Sequence, residues 1–188
     1  MYKNIHNYKP FQHDNLAFKN NVIGHGRAQD INTVPGAFSA VLIYANLIDY
    51  LARNLLENLY QMISVESFQR FGGVFFYNGS GKKTNVPLGS LIQELNFFEF
   101  PNKEDFLVRL KRFNELRIEL IHNLMQLNLT GTTKKLDDDI KEVQDVAEDI
   151  LLKYNTICGG IAAVWNLVHQ QQPSQDETTN QPPEQKNQ

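Results

Sequence analysis

Apolar residues recur every three or four positions along three stretches of this chain, and polar or glycine-rich segments separate them. Between Ala37 and Ile63 the series is Val41, Ala45, Ile48, Ala52, Leu55, Leu59 and Met62. That spacing predicts a long helix with one apolar stripe. Its other side carries Asp49, Arg53 and Glu57 four residues apart, a charge ladder expected to face solvent. A second long helix is predicted from Thr133 to Val168, with Leu136, Ile140, Val143, Ala147, Ile150, Tyr154, Ile157, Ile161 and Val164 as its stripe. Gly159-Gly160 inside it predicts a kink, a break or a close helix crossing. The third helix covers 104–127, where Phe106, Leu110, Phe113, Ile121 and Leu124 share a side, with Leu120 beside them. Asn102 is expected to cap it, with Glu104 and Asp105 favourably placed in its first turn. A short helix from Leu88 to Asn96 precedes it.

The remaining segments lack such a period. Residues 1–35 are polar and Asn-rich and read as an irregular arm with one short element, ended by Pro35-Gly36. Residues 72–89 join an aromatic run, Val74-Phe75-Phe76-Tyr77, to the glycine-rich Asn78-Gly-Ser-Gly, which predicts a β-hairpin or ordered insertion. Residues 170–188 are rich in Gln, Pro and Asn, a composition expected to stay disordered. The domain is therefore placed at 36–169, and the fold class is all-α: an antiparallel helical bundle with a small glycine-rich hairpin or loop insertion. Trp165 and Tyr154 are expected to serve in core or interface packing.

Charge and cysteine content narrow the function classes. The net charge is -3 over 188 residues, and the tail contributes three acids against one lysine. The body is nearly neutral, so a nucleic-acid contact has to rely on a local patch rather than a global field. A single cysteine, Cys158, excludes an intrachain disulfide and fits a reducing compartment. The opening residues lack the apolar core of a signal peptide, and no run approaches the roughly 18 apolar residues of a membrane span. These features predict a cytoplasmic protein with no membrane association.

Candidate chemistry concentrates in the segment Phe113-Asn-Glu-Leu-Arg117-Ile-Glu-Leu-Ile-His122-Asn123. The helical wheel puts Arg117 in the middle of the apolar stripe. A guanidinium there cannot shed its charge and requires a partner, a subunit interface or a polar cleft. His122 lies roughly 140° further round, at about 100° per residue. An arginine can hold a phosphate through its planar fork while a histidine moves a proton, which is the equipment of phosphodiester cleavage. Lys111, Arg109 and Arg112 on the same helix form a candidate RNA-binding patch, with Lys111 near His122 on the wheel. The competing reading is structural: Arg117 pairs with a buried acid, and the cations belong to a solvated face that also holds Glu104, Asp105, Glu115 and Glu119.

The segment resembles the signature of HEPN domains, in which an arginine is followed after four to six residues by a histidine near the end of a long helix. Arg117 and His122 match with four residues between them. The long helix carrying Ala45-Asn-Leu-Ile-Asp-Tyr-Leu-Ala52 and the final helix also fit, so the resemblance spans about residues 37–168. It implies a small helical bundle and a metal-independent endoribonuclease of toxin–antitoxin, abortive-infection or phage-defence type. It further implies a homodimer with two Arg/His segments in one cleft, RNA as substrate, and an antitoxin or other protein as a partner. Arg117 and His122 become the catalytic pair. Two positions depart from the pattern. Ile118 stands where active members often carry Asn, Asp or His, and Leu124 where some toxins carry tyrosine. Ile118 favours the alternatives, an inactive HEPN-like binding or scaffolding module, or a helical protein–protein interaction protein.

Other motifs carry less. Asn78-Gly-Ser-Gly-Lys-Lys-Thr84 lacks the glycine spacing of a phosphate loop. His6, His13, His25 and Cys158 show no ligand spacing, and Asp137-Asp-Asp139 suits a helix start, so neither a metal nor a cofactor is expected.

Overall fold

The computed structural model describes residues 8–12, 14–71, 86–126 and 134–170. Five helices appear in chain order: α1 (Leu16–Arg27), α2 (Val34–Phe71), α3 (Leu88–Leu95), α4 (Lys103–Gln126) and α5 (Lys134–Gln170). No strand occurs among the described residues. The fold is an all-α helical bundle, as the periodicity predicts. Most of the hairpin or loop insertion expected at 72–89, and the Lys82-Lys83 turn within it, lie outside the described residues, as does nearly all of the tail.

Side-chain bonds fix the helix directions. Arg109, Arg112 and Asp105 on α4 reach Asp149, Glu142 and Lys153 on α5, so these two helices run antiparallel. Asn54 meets Tyr154 and Glu66 meets His169, so α2 and α5 run parallel. Lys19 bonds Asn155 and Arg27 bonds Glu148, which sets α1 antiparallel to α5. The core lies between them. Val41, Ile48, Leu51 and Leu55 of α2, Phe106, Leu110 and Phe113 of α4, and Val143, Ile150 and Ile157 of α5 are fully buried. Each such side chain stabilises the bundle by about 1.5–3 kcal/mol through burial.

Local chemistry sets the helix ends. Asn15 caps α1 by accepting from the Phe18 amide at 2.9 Å. Thr33 Oγ1 accepts from the Gly36 amide at 3.2 Å and so caps α2 three residues before the expected start at Ala37. Gly36 is required there, because a Cβ would lie 2.1 Å from the Asp30 carbonyl oxygen. Asn102 precedes α4 but in a left-handed conformation, φ 57°, and its carbonyl accepts from Phe106 N at 3.1 Å. Asparagine tolerates that region better than most residues.

Several expectations are corrected. The first long helix does not stop at Ile63 but continues to Phe71. Arg53 of the predicted solvated ladder is partly buried; it pairs with Asp49 at 2.9 Å and donates to the Val86 carbonyl before α3. By length and composition α2 is apolar enough to cross a membrane, contrary to the expectation that no such run exists, yet half of its most apolar window is buried inside the bundle. Gly159-Gly160 does not break α5, since the helix is continuous through it. A Cβ on Gly159 would meet open space, and one on Gly160 would only touch Pro101 at 3.9 Å.

Tyr8 and Phe11 tie the chain before α1 to α2. The Asn58 side-chain oxygen accepts from the Tyr8 hydroxyl at 3.2 Å and from the Phe11 amide at 2.8 Å. The short element expected in the N-terminal arm is α1, which packs against α2 and α5.

Candidate functional site

The buried stripe of α4 is Phe106, Leu107, Leu110, Phe113, Leu116, Leu120 and Leu124. At about 100° per residue Arg117 still falls inside the arc they span, between Leu116 on one side and Leu107 on the other. Its side chain is only half-buried, however, so a place on the stripe does not make it a core residue. Its guanidinium donates to the Asn114 side-chain oxygen at 2.9 Å, one turn back on the same helix. Asn114 was not singled out in the sequence, although its i, i+3 spacing makes that contact available.

Arg117 differs from every other arginine of the chain. Arg53 pairs with Asp49 at 2.9 Å, Arg70 with Glu66 at 3.0 Å, Arg109 with Asp149 at 2.9 Å and Arg112 with Glu142 at 2.6 Å. Arg27 is paired with Glu148. Among the described residues, Arg117 has no carboxylate partner. Its charge is half-shielded from water and neutralised by no acid there.

His122 is exposed near the end of α4, with its ring 3.4 Å from the Gln126 side-chain nitrogen. No hydrogen bond joins it to Arg117, consistent with the roughly 140° between them on the helix. Ile118 lies between the two in angle and is 57% exposed, and Met125 beyond them is 78% exposed. The C-terminal half of α4 thus presents an exposed imidazole and two exposed apolar side chains on one arc, with the half-buried guanidinium at its inner edge.

The three predicted RNA-binding cations separate into two kinds. Lys111 is exposed and pairs with no carboxylate among the described residues. Arg109 and Arg112 instead point across to α5. The hydrogen bonds that Arg112 donates to Glu142 raise its pKa above the ordinary value, against a smaller opposing effect of desolvation. Their charges are already met by acids, so Lys111 is the predicted cation left open, on the His122 side of α4 but about 16 Å along the axis from it.

Two hollows lie elsewhere. One of about 460 Å³ separates the C-terminal ends of α2 and α5 and is walled by Met62, Phe71, Trp165 and Val168. Another of about 320 Å³ lies between α1 and α5, near Gly24, Arg27 and Glu148. Neither is lined by Arg117 or His122. Among the described residues, no three His, Cys, Asp or Glu side chains come together as a metal site.

A buried polar cluster escaped sequence reasoning altogether. Lys19 is fully buried and bonds Asp14 at 2.5 Å and Asn155 at 2.7 Å, with its ammonium 4.6 Å over the Tyr154 ring. It joins the N-terminal segment to α5 and is satisfied on every side, so it reads as structural. No protein-family model, curated protein or solved structure matches the chain.

Proposed function

We propose that the chain is a HEPN-like, metal-independent endoribonuclease of a toxin or defence system, acting on RNA in the cytoplasm as a homodimer. The observation that carries this reading is Arg117, the one arginine among the described residues without a carboxylate. A purely structural arginine near a core stripe is expected to pair with an acid, because an unneutralised, half-desolvated charge is costly. A guanidinium kept free of acids is suited to a phosphate, to which it donates two parallel hydrogen bonds. In this role Arg117 holds the scissile phosphate and its developing charge, and His122 transfers the proton of the attacking 2′-hydroxyl. Lys111 adds positive charge on the approach to His122. Since the two side chains diverge on one helix, a second copy of α4 supplies the complementary half. An antitoxin or other protein covering the same arc is the partner this reading implies.

A second reading has its own support. Exposed Ile118 in place of a polar residue, and the engagement of Arg109 and Arg112 by α5 acids, both weaken a phosphate site. They favour a HEPN-like binding or scaffolding module that uses the same arc of α4 for a protein.

Cleavage of a mixed RNA pool in excess EDTA decides between them, with wild type beside His122→Ala and Arg117→Ala. Cleavage by wild type alone supports the nuclease. Cleavage that survives both substitutions removes Arg117 and His122 from the chemistry. No cleavage by any of the three moves the assignment to the binding module.

A further inference from the structure

The ends of α2 and α5 are joined by a contact that the nuclease reading does not use. His169, in the last turn of α5, stacks on Trp165 with ring centroids 3.9 Å apart and planes 17° from parallel. Its Nδ1 lies 2.9 Å from the Trp165 carbonyl oxygen, and its Nε2 lies 3.2 Å from Oε1 of Glu66 on α2. Both oxygens can only accept. A neutral imidazole carries one N–H and one lone pair, so it can satisfy one of these contacts and must repel at the other. Only the imidazolium, with a proton on each nitrogen, satisfies both.

We propose that His169 is a protonation-dependent clasp: the imidazolium ties the end of α5 to the end of α2 through Glu66, and the neutral ring releases it. The surroundings suit that role. The side chains of His169 and Glu66 are 19% and 31% exposed, so the pair is sheltered but reachable by protons. Among the described residues, the following groups surround the imidazole. From α2 they are Glu66 and Arg70, whose Nε donates to the other Glu66 oxygen at 3.0 Å. When the imidazole loses its proton, Arg70 retains Glu66 on α2. On α5 the neighbouring group is the uncharged indole of Trp165. The N-terminal segment contributes Tyr8, which packs edge-on against that indole at 5.5 Å and accepts its N–H through the backbone carbonyl at 3.3 Å. Release at His169 is thereby felt by the N-terminal segment as well as by α2. The clasp also supplies polar wall to the 460 Å³ hollow, which includes Glu66, Arg70 and His169 in its lining, so its state sets how firmly that hollow is closed.

Trp165 is the sole tryptophan of the chain, so emission from the intact protein reports on this contact directly. We expect its emission to change in a single step across the pH range in which histidines change charge. His169→Gln removes the transition. Glu66→Gln at least halves its amplitude, because the carboxylate that the imidazolium ties to α5 is gone. An undiminished transition in Glu66→Gln, or one that survives His169→Gln, overturns the proposal. A second measurement needs no substitution. In nitrogen-detected NMR of the wild type at the acid end of that span, both His169 ring nitrogens should carry protons. A single neutral tautomer there overturns the clasp equally.

Discussion

Arg117 donates to the side-chain oxygen of Asn114 at 2.9 Å, an amide contact on its own helix. It holds the guanidinium in place without neutralising it. Replacing Arg117 by alanine should therefore change stability by no more than about 0.5 kcal/mol, as for a surface substitution. Cleavage should meanwhile fall by about a hundredfold or more, as when a charge-stabilising donor is removed. Urea denaturation alongside a cleavage assay separates the two quantities. A stability loss above about 2 kcal/mol would identify Arg117 as a structural cation instead.

Lys19 should behave in the opposite way. It is fully buried, and its partner Asp14 has only 13% of its side chain exposed. Lys19→Met leaves that carboxylate shielded and unpaired, which should cost about 3 kcal/mol. Adding Asp14→Asn should recover much of the loss, since the pair is then gone rather than broken. The measurement is a double-mutant cycle by urea denaturation. A single substitution costing less than about 1 kcal/mol would mean that water still reaches Asp14.

Lys19 also explains why α1 was the least legible helix. Its buried residues are Lys19, Ile23 and Gly26. These keep helical spacing, but only one of the three counts as a large apolar residue, while Leu16 and Phe18 are about half exposed. A count of apolar letters sees no stripe there. The other helices announced themselves through leucines, isoleucines and valines, and α3 and α4 begin within a residue of their predicted starts. The candidate site was half legible. The Arg117–His122 spacing and the place of Arg117 on the stripe are written in the chain, but its half-burial is not. The buried stripe takes in Leu107 and Leu116 as well, while Ile121 is only partly buried. The engagement of Arg109 and Arg112 depends on acids 30 or more residues away, and no local pattern encodes it.

Two glycines of α1 should answer differently to the same substitution. A Cβ on Gly26 would sit 2.5 Å from Cζ of Tyr44, a residue only 1% exposed. Gly26→Ala should destabilise by about 1–3 kcal/mol through overpacking. A Cβ on Gly24 meets nothing within 4 Å. Gly24→Ala should stabilise by about 0.5–1 kcal/mol, because alanine loses less backbone freedom in a helix. Thermal melts of the two variants test the contrast. Rescue of Gly26→Ala by Tyr44→Leu would locate the clash at the ring, and equal melting temperatures would remove it.

Alkaline pH should unfold the bundle earlier than its surface charge suggests. Burial pushes the Cys158 thiol from an ordinary value of 9.0 up to about 12, and the Tyr44 hydroxyl from 10.0 up to about 12. Tyr8 and Tyr154 are raised in the same direction, again chiefly by burial. In each case the folded state keeps its proton at a pH where the unfolded chain has lost it. The folded state then binds more protons than the unfolded one, so stability falls as pH rises. The contribution is intact below about pH 9, where the unfolded thiol begins to ionise, and is lost progressively toward pH 12. Urea midpoints between pH 7 and pH 11 should therefore be level at first and decline beyond pH 9. Cys158→Ala should flatten the first part of the decline, between pH 9 and pH 10, and leave the tyrosine part in place. The same burial makes the native thiol slow toward a disulfide reagent at pH 8, since reaction requires the thiolate and access to it. A thiol that reacts at the same rate in native and denatured protein would contradict both expectations.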